Sequence, residues 1–93
     1  MSKQPFTGQR LLVVGLAREG VGAAKWLAER GAHVIVSDVR TPEQLHESLL
    51  ALGDLTVETR FGPQTPDLLE GVHALIVSPG VPQDIPILIT ARE

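Results

Sequence analysis

The sequence predicts an α/β fold, in which a parallel, doubly wound sheet forms a single small domain over residues 1–93. Apolar runs typical of β-strands alternate with segments whose apolar residues recur at helical spacing. Several of these runs are continuously apolar, which is typical of strands that are covered on both faces. Three short segments, residues 15–20, 38–40 and 78–80, each come directly after such a run and carry glycine, charge or a hydroxyl.

Composition limits the chain to one domain with a modest core, because it has 93 residues and 43% of them are hydrophobic. The net charge is −3 and the eight Lys and Arg residues are scattered, so we expect no nucleic-acid partner. Cysteine is absent, which excludes disulfides and thiolate metal sites. Residues 1–8 lack the apolar stretch of a signal peptide, and no run approaches the ~20 residues of a membrane span. We therefore expect a cytoplasmic protein without a membrane partner.

The first three elements are predicted to form a strand–helix–strand unit. Residues 11–14 form the first apolar strand, and residues 20–30 repeat apolar side chains at helical spacing. Gly31 is predicted to cap the end of that helix. Residues 32–37 are apolar and β-branched and lead into Asp38, so they predict a second strand parallel to the first.

The second helix has a clear start signal in the sequence. Thr41 is predicted as its N-cap, with Pro42 in the first helical position and Gln44 in the capping-box position. Gly53 is predicted to end it, and residues 56–61 then alternate as a half-exposed edge strand would. The buried stripe of this helix is predicted to consist of Leu45, Leu49 and Leu52.

The remaining pattern predicts a short helical turn, a fourth strand and a last helix. Residues 66–70 are predicted as the turn, and the apolar residues 72–77 as a central strand. Residues 85–93 are predicted as a helix that begins at Pro86, and no strand follows it. We therefore expect an excised domain, with room beside the fourth strand for a fifth strand that is missing here.

Right-handed crossovers between parallel strands predict the spatial order 3-2-1-4. In that order the carboxyl ends of strands one, two and four surround the crevice between strands one and four. The loops after these strands would then bring together residues 15–20, 38–40 and 78–80. Because ligands of such sheets bind at this crevice, the sequence predicts a nucleotide site there.

The first loop has the spacing of a Rossmann-like phosphate-binding turn. Gly15 and Gly20 stand at the two ends of a G-x-A-x-x-G segment that opens a helix. Ala17 puts a methyl group where the dinucleotide motif has its middle glycine. Arg18 could pair with a phosphate, whereas Glu19 suits the helix dipole but repels an anion. The alternative is a tight strand-to-helix turn that binds no ligand.

The second segment, residues 38–40, offers an acid and a base at the end of a strand. The carboxylate of Asp38 could accept hydrogen bonds from ribose hydroxyls or from the N–H of a uracil ring. Arg40 could stack on a base or pair with a phosphate, and its alternative is a solvated surface arginine. The residue types alone do not show which of these ligands binds.

The third segment combines the hydroxyl of Ser78, the stiff turn of Pro79 and the backbone freedom of Gly80. These properties suit the close approach of a diphosphate or a base, and the alternative is a rigid connecting loop. No G-x-S-x-G motif surrounds the serine, and the three histidines lack the spacing of metal ligands. We therefore predict no catalytic residue and no metal site in this chain.

Together, these segments resemble one known family. Residues 12–20, 36–40 and 77–82 look like the N-terminal domain of the Mur ligases, enzymes of cytoplasmic peptidoglycan synthesis. The resemblance is nearest to the members that add D-glutamate to UDP-N-acetylmuramoyl-L-alanine, and it covers nearly the whole chain. Its most specific part is the S-P-G-V-P element after the fourth strand.

The resemblance implies that this domain binds the UDP part of UDP-N-acetylmuramoyl-L-alanine within an ATP-dependent ligase. ATP and Mg²⁺ would bind in the full-length enzyme, through central and C-terminal domains that this chain lacks, so the domain alone would carry no cofactor and would not catalyse the reaction. Lys3 and Lys25 are the only lysines, and neither lies in a G-x-x-x-x-G-K-[ST] loop. The UDP-binding residues that the resemblance implies are Gly15, Arg18, Glu19, Gly20, Asp38, Val39, Arg40, Ser78, Pro79 and Gly80.

Two other functions are compatible with the same residues. A nicotinamide-binding domain of a dehydrogenase would use the same loops, with Asp38 bonded to a ribose. A nucleotide-sensing module without chemistry is the third hypothesis. The three hypotheses differ in the ligand that the chain should prefer.

Overall fold

The elements of the fold follow the predicted alternation of strands and helices. A computed structural model describes residues 6–78 together with residues 81 and 91, so the predicted start of the last helix at Pro86 lies outside the described residues. In chain order the elements are β1 (Arg10–Val14), α1 (Arg18–Ala28), β2 (His33–Asp38), α2 (His46–Leu52), β3 (Glu58–Phe61), a short 3₁₀ helix (Pro66–Leu69) and β4 (Ala74–Val77).

All strand pairs are parallel, and the sheet has the predicted order β3-β2-β1-β4. The register places Val14 of β1 opposite Ser37 of β2 and opposite Val77 of β4. The carboxyl ends of these three strands are therefore level with one another. The loops that follow them start side by side at one edge of the sheet.

Both faces of the two inner strands are covered. Along β1, Leu11 and Val13 belong to the apolar cluster that includes residues of α1 and α2. Leu12 and Val14 point to the opposite face, where they cluster with Leu68 of the 3₁₀ helix. All four strand residues are at most 2% exposed, which explains why the run is continuously apolar.

The two outer strands of the described sheet are β3 and β4. β3 is an edge strand as predicted, and Thr59 and Arg60 on it are exposed. Within the described residues β4 forms the other edge, and most of its side chains are half-buried, so the prediction of a central fourth strand does not hold there. β4 begins at Ala74, later than predicted, because the Val72 N–H bonds back to the Leu69 carbonyl.

Helix α1 begins at Arg18 and ends at Ala28, slightly earlier at both ends than the predicted span of residues 20–30. Its N-cap is Ala17, which has an extended backbone and cannot provide a capping side chain. At the other end the C-cap is Glu29 and not the predicted Gly31, although the Gly31 N–H does donate to the Ala28 carbonyl oxygen over 3.2 Å just beyond the helix.

Helix α2 begins at His46, later than the sequence predicts. The capping pair itself forms, since the Gln44 N–H donates to the Thr41 hydroxyl oxygen over 3.2 Å and the Thr41 N–H donates to Gln44 Oε1 over 2.9 Å. This pair closes a separate turn, because Leu45 has φ −101° and ψ 14° and interrupts the helical backbone. The predicted stripe still packs into the core through Leu45, Leu49 and Leu52.

No helix in the described part of the chain has the length and apolar content that crossing a membrane requires.

The double-sided burial of β1 makes a prediction for its core residues. Leu12 is 0% exposed, and we expect Leu12→Ala to lower the free energy of unfolding by about 3 kcal/mol, through lost burial and the remaining cavity. The matched control is Leu50→Ala, because Leu50 on α2 is 66% exposed and its truncation should cost less than about 0.5 kcal/mol. Urea denaturation of both variants measures the difference. Equal effects of the two substitutions would contradict the described core.

Candidate nucleotide site

The loop between β1 and α1 (residues 15–17, the β1–α1 loop) is tied to the strands on both sides of β1. The Gly15 N–H donates to the Ser37 carbonyl oxygen of β2 over 2.8 Å. On the other side, the Ser78 hydroxyl donates to the Gly15 carbonyl oxygen over 2.7 Å, and the Ser78 N–H donates to the Val14 carbonyl oxygen over 3.0 Å. Two of the three predicted segments therefore meet by direct hydrogen bonds.

The two glycines of this loop allow its close packing. Gly15 has φ +93°, and a Cβ there would lie 2.8 Å from Cγ2 of Val81 and 3.1 Å from Cβ of Ser78. A Cβ on Gly20 would overlap the carbonyl oxygen of Gly15 and lie 3.1 Å from the Ser78 hydroxyl. The spacing of the two glycines is thus explained by the packing of α1 on the loop, with or without a ligand.

Asp38 connects the second segment to the first. Its Oδ2 accepts hydrogen bonds from the Leu16 N–H over 2.8 Å and from Arg40 Nη2 over 2.7 Å. Its Oδ1 accepts from the Arg40 N–H over 2.9 Å and from Arg40 Nε over 3.0 Å. A carboxylate has about four lone-pair positions, so these donors satisfy it. Asp38 is only 4% exposed.

The surroundings of Asp38 keep it ionised. Burial by itself raises the pKa of this carboxyl, but the Arg40 guanidinium and the N–H groups of Leu16 and Arg40 outweigh burial. The pKa of Asp38 is therefore lowered from 3.8 to about 2. Hydrogen bonding to Asp38 in turn raises the pKa of Arg40. Both groups carry their charges at neutral pH.

Four of the predicted site residues are exposed. Arg18 and Glu19 lie in the first turn of α1, whose N-terminal amides have neither an intrahelical acceptor nor a capping side chain. Val39 is 64% exposed, and the Arg40 side chain is 47% exposed. Beside the start of α1, a hollow of about 290 Å³ is lined by Arg18, Val21, Glu47, Ser48 and Ala51.

The predicted site residues thus divide into two groups. Gly15, Gly20, Asp38 and Ser78 are buried and form the frame that joins the loops. The exposed group can offer side chains to a ligand without rearrangement, and it consists of Arg18, Glu19, Val39 and Arg40. The two remaining residues, Pro79 and Gly80, lie outside the described residues.

The sequence matches known proteins along almost its whole length. Residues 9–93 match the family model described as Mur ligase MurD-like, N-terminal domain. The chain belongs to this family. The relatives named UDP-N-acetylmuramoylalanine--D-glutamate ligase include those of Geotalea daltonii, 42% identical over 85 residues, and Geobacter sp. strain M21, 43% identical over 84 residues. The ligase of Exiguobacterium sibiricum is 37% identical over 93 residues.

These alignments cover 91%, 90% and 100% of this chain but only 19%, 19% and 20% of the three relatives. The chain therefore spans about a fifth of the length of the curated relatives it matches. The resemblance to the N-terminal domain of the Mur ligases, drawn from the loop motifs, is confirmed. The relatives are named as ligases, which are enzymes.

Three contacts at this edge of the Mur ligase domain were not predicted. Leu16 reaches Asp38 through its backbone N–H, and the Gly62 N–H donates to the Asp38 carbonyl oxygen over 2.9 Å. Gln64 Nε2 donates to the hydroxyl oxygen of Ser37 over 3.0 Å, which brings the loop after β3 to the same edge. In two of these contacts the donor is a backbone N–H, which every residue except proline has, so the sequence does not indicate them. Only the polar Ser37 at the end of an apolar strand could have indicated the third.

A ligase reaction that uses ATP and Mg²⁺ needs groups that hold a metal ion and a triphosphate. Among residues 6–78, 81 and 91, no group of three or more His, Cys, Asp or Glu side chains could hold a metal ion. The sequence has no glycine–lysine loop of the kind that cradles ATP phosphates. The part of the chain that the structure describes therefore offers no cluster that fits the Mg²⁺ of a ligase reaction.

The packing of α1 on the loop predicts opposite effects for two glycines of the same helix. We expect Gly20→Ala to destabilise the fold by about 2 kcal/mol, because the new methyl group would collide with the Gly15 carbonyl. Gly22→Ala is the control, since a Cβ there meets nothing within 4 Å and alanine favours a helix by up to ~1 kcal/mol. Thermal unfolding followed by circular dichroism compares them. A Gly20→Ala variant as stable as the wild type would rule out the described loop.

The low pKa of Asp38 makes a prediction about acid stability. Because the folded-state pKa lies below the ordinary value of 3.8, ionised Asp38 stabilises the fold above about pH 4, and this stabilisation is lost as the pH falls toward 2. We expect the stability advantage of the wild type over Asp38→Asn to shrink by about 2 kcal/mol between pH 6 and pH 2. Denaturant titrations of both proteins across this range measure it. An advantage that is independent of pH would contradict the described ion pair.

Proposed function

We propose that this chain binds the UDP part of UDP-N-acetylmuramoyl-L-alanine. It would do so as the N-terminal substrate domain, residues 1–93, of an ATP-dependent ligase that adds D-glutamate during peptidoglycan precursor synthesis. The observation that carries the proposal is the direct hydrogen bonding between three loops at the carboxyl edge of a parallel sheet, where ligands of such folds bind. The names of the relatives support the choice of substrate.

The diphosphate would bind at the start of α1. N–H groups that lack an intrahelical acceptor and a capping side chain, together with the positive end of the helix dipole, favour an anion there. Arg18 adds a positive charge that is exposed and can reach a phosphate oxygen. Glu19 opposes the anion, so we expect only part of the affinity to come from this helix.

The uracil would bind next to Val39 and Arg40. An exposed apolar side chain and the flat face of a guanidinium suit a planar, neutral ring. The nicotinamide alternative is less well supported, because such enzymes use the acid at the end of the second strand to bind ribose hydroxyls. Here the carboxylate of Asp38 already accepts four hydrogen bonds.

The chemistry of the ligase would reside outside this chain. ATP and Mg²⁺ would be bound by the central and C-terminal domains, which are the other partners of this domain, and we assign no catalytic residue here. Peptidoglycan precursors of this kind are made in the cytoplasm, where we place the protein. The function of the chain is then to hold the nucleotide end of the substrate while another domain acts on the other end.

Ligand preference tests the proposal. We expect UDP and UDP-N-acetylmuramoyl-L-alanine to bind the chain more tightly than NADH in calorimetric titrations. In NMR spectra the amide signals of residues 16–20 and 39–40 should shift with added UDP. Arg18→Gln should weaken UDP binding roughly two- to fivefold, while Lys25→Gln, at the other end of α1, should leave it unchanged. A preference for NADH, or shifts confined to other residues, would overturn the proposal.

A further inference from the structure

Strand β3 presents one side of its backbone to a further strand. In the part of the chain that the structure describes, β3 pairs with β2 on one side and with no strand on the other. The Gly62 N–H donates to the Asp38 carbonyl oxygen of β2, and successive residues of a strand direct their backbone groups to alternate sides. Thr59 and Phe61 therefore direct their N–H and carbonyl groups away from β2. These groups can pair with another chain.

The sequence of this edge is complementary to itself. Residues 57–61 read Val-Glu-Thr-Arg-Phe, so an apolar and a charged residue stand on each side of a central threonine. If two copies lie antiparallel with Thr59 opposite Thr59, then Glu58 of each copy lies opposite Arg60 of the other. Val57 of each copy then lies opposite Phe61 of the other. Pairs of opposite charge and pairs of an aromatic with a β-branched residue both stabilise antiparallel strands.

The two kinds of pair would lie on different faces of the sheet. Glu58 is the register partner of Ile35, which belongs to the cluster under the 3₁₀ helix, and Arg60, two residues later, lies on the same face. Val57 and Phe61 pack against the cluster beneath α1 and α2, on the opposite face. In an antiparallel pair, charges would therefore meet charges and apolar side chains would meet apolar side chains.

We propose that the outer edge of β3 is a dimerisation surface, at which two copies of this chain join their sheets about a twofold axis at Thr59. The charges select this register. The smallest shift that keeps the backbone pairing is two residues, and it would place Glu58 opposite Glu58 or Arg60 opposite Arg60. Because the edge complements itself, the partner that it fits is a second copy of the chain.

Both charged groups are available at this edge. Arg60 Nη1 lies 3.4 Å from Glu58 Oε2, and the two side chains are 44% and 34% exposed. Arg60 Nη2 also lies 3.2 Å from Oδ2 of Asp67. The hydrogen bond with His33, helped by Arg60 and Arg10, lowers the pKa of Glu58, so its carboxylate is ionised at neutral pH. Exposed ion pairs of this kind are weak, so their partners can change when a second copy arrives.

The position and size of the surface determine what the dimer would be like. β2 separates β3 from the crevice between β1 and β4, so pairing at β3 would leave that crevice open in both copies. A stable interface uses about 20–30 residues a side, whereas residues 57–61 form only one short strand segment. We therefore expect a weak dimer, with a Kd of about 100 μM.

Sedimentation equilibrium of the chain tests this surface. We expect the wild type to change from monomer to mostly dimer between about 10 μM and about 1 mM. Glu58→Arg and Arg60→Glu each place like charges opposite one another in both charged pairs, so each should weaken association at least about tenfold. Glu29→Arg is the matched control, because it makes the same change of charge at an exposed site beyond α1, and it should dimerise like the wild type.

An equimolar mixture of the two charge variants separates pairing from a general effect on the fold. In a dimer of one Glu58→Arg chain with one Arg60→Glu chain, both charged pairs again have opposite signs, so the mixture should dimerise within about threefold of the wild type. Circular dichroism should show a retained fold in each variant, because the substituted ion pairs are exposed.

The backbone pairing has its own test. Thr59→Pro removes an N–H that points away from β2, so it should abolish the dimer and leave the pairing with β2 intact. In the wild type, the Thr59 amide should exchange with solvent several times more slowly at 1 mM than at 10 μM. A wild type that is monomeric at 1 mM, folded charge variants that associate like the wild type, or a mixture that remains monomeric would overturn the proposal. None of these outcomes bears on whether the chain binds UDP.

Discussion

The buried carboxylate of Asp38 is the constraint on which the candidate site depends. An ionised group with 4% exposure needs hydrogen-bond donors in place of water, and four N–H groups supply them. One donor comes from the loop after β1 and three come from Arg40 after β2. Satisfying this single charge therefore sets the relative positions of two loops. Ser78 fixes the third segment by donating its hydroxyl hydrogen to the Gly15 carbonyl.

Much of the fold follows from apolar patterns, and the sequence predicts it. Strand segments buried on both faces are continuously apolar, as residues 11–14 of β1 and 34–36 of β2 are, and right-handed crossovers leave few ways to order four parallel strands. The meeting of the loops around Gly15, Asp38 and Ser78 is a consequence of that order. A prediction of where the site lies therefore needs only the strands and their direction.

The start of α2 and the role of Asp38 depend on local geometry that the sequence does not determine. The Thr41 and Gln44 side chains cap each other as expected, yet the backbone at Leu45 separates their turn from the helix. An aspartate at the end of a strand can bond to a ligand or to a neighbouring backbone amide, and its identity in the sequence does not show which. The choice here depends on the Leu16 N–H, which belongs to the backbone and has no signature in the sequence.

A crystal structure of the chain with bound UDP is the most direct measurement of how the loops recognise a nucleotide. Our interpretation predicts the uracil against the guanidinium of Arg40, with the hydrogen bonds between Asp38 and Arg40 intact, and the diphosphate at the first amides of α1. Electron density for UDP at another face of the sheet would contradict the location of the site. A complex in which the Asp38 carboxylate leaves Arg40 and bonds directly to the uracil would contradict the division of the site into a buried frame and an exposed binding surface.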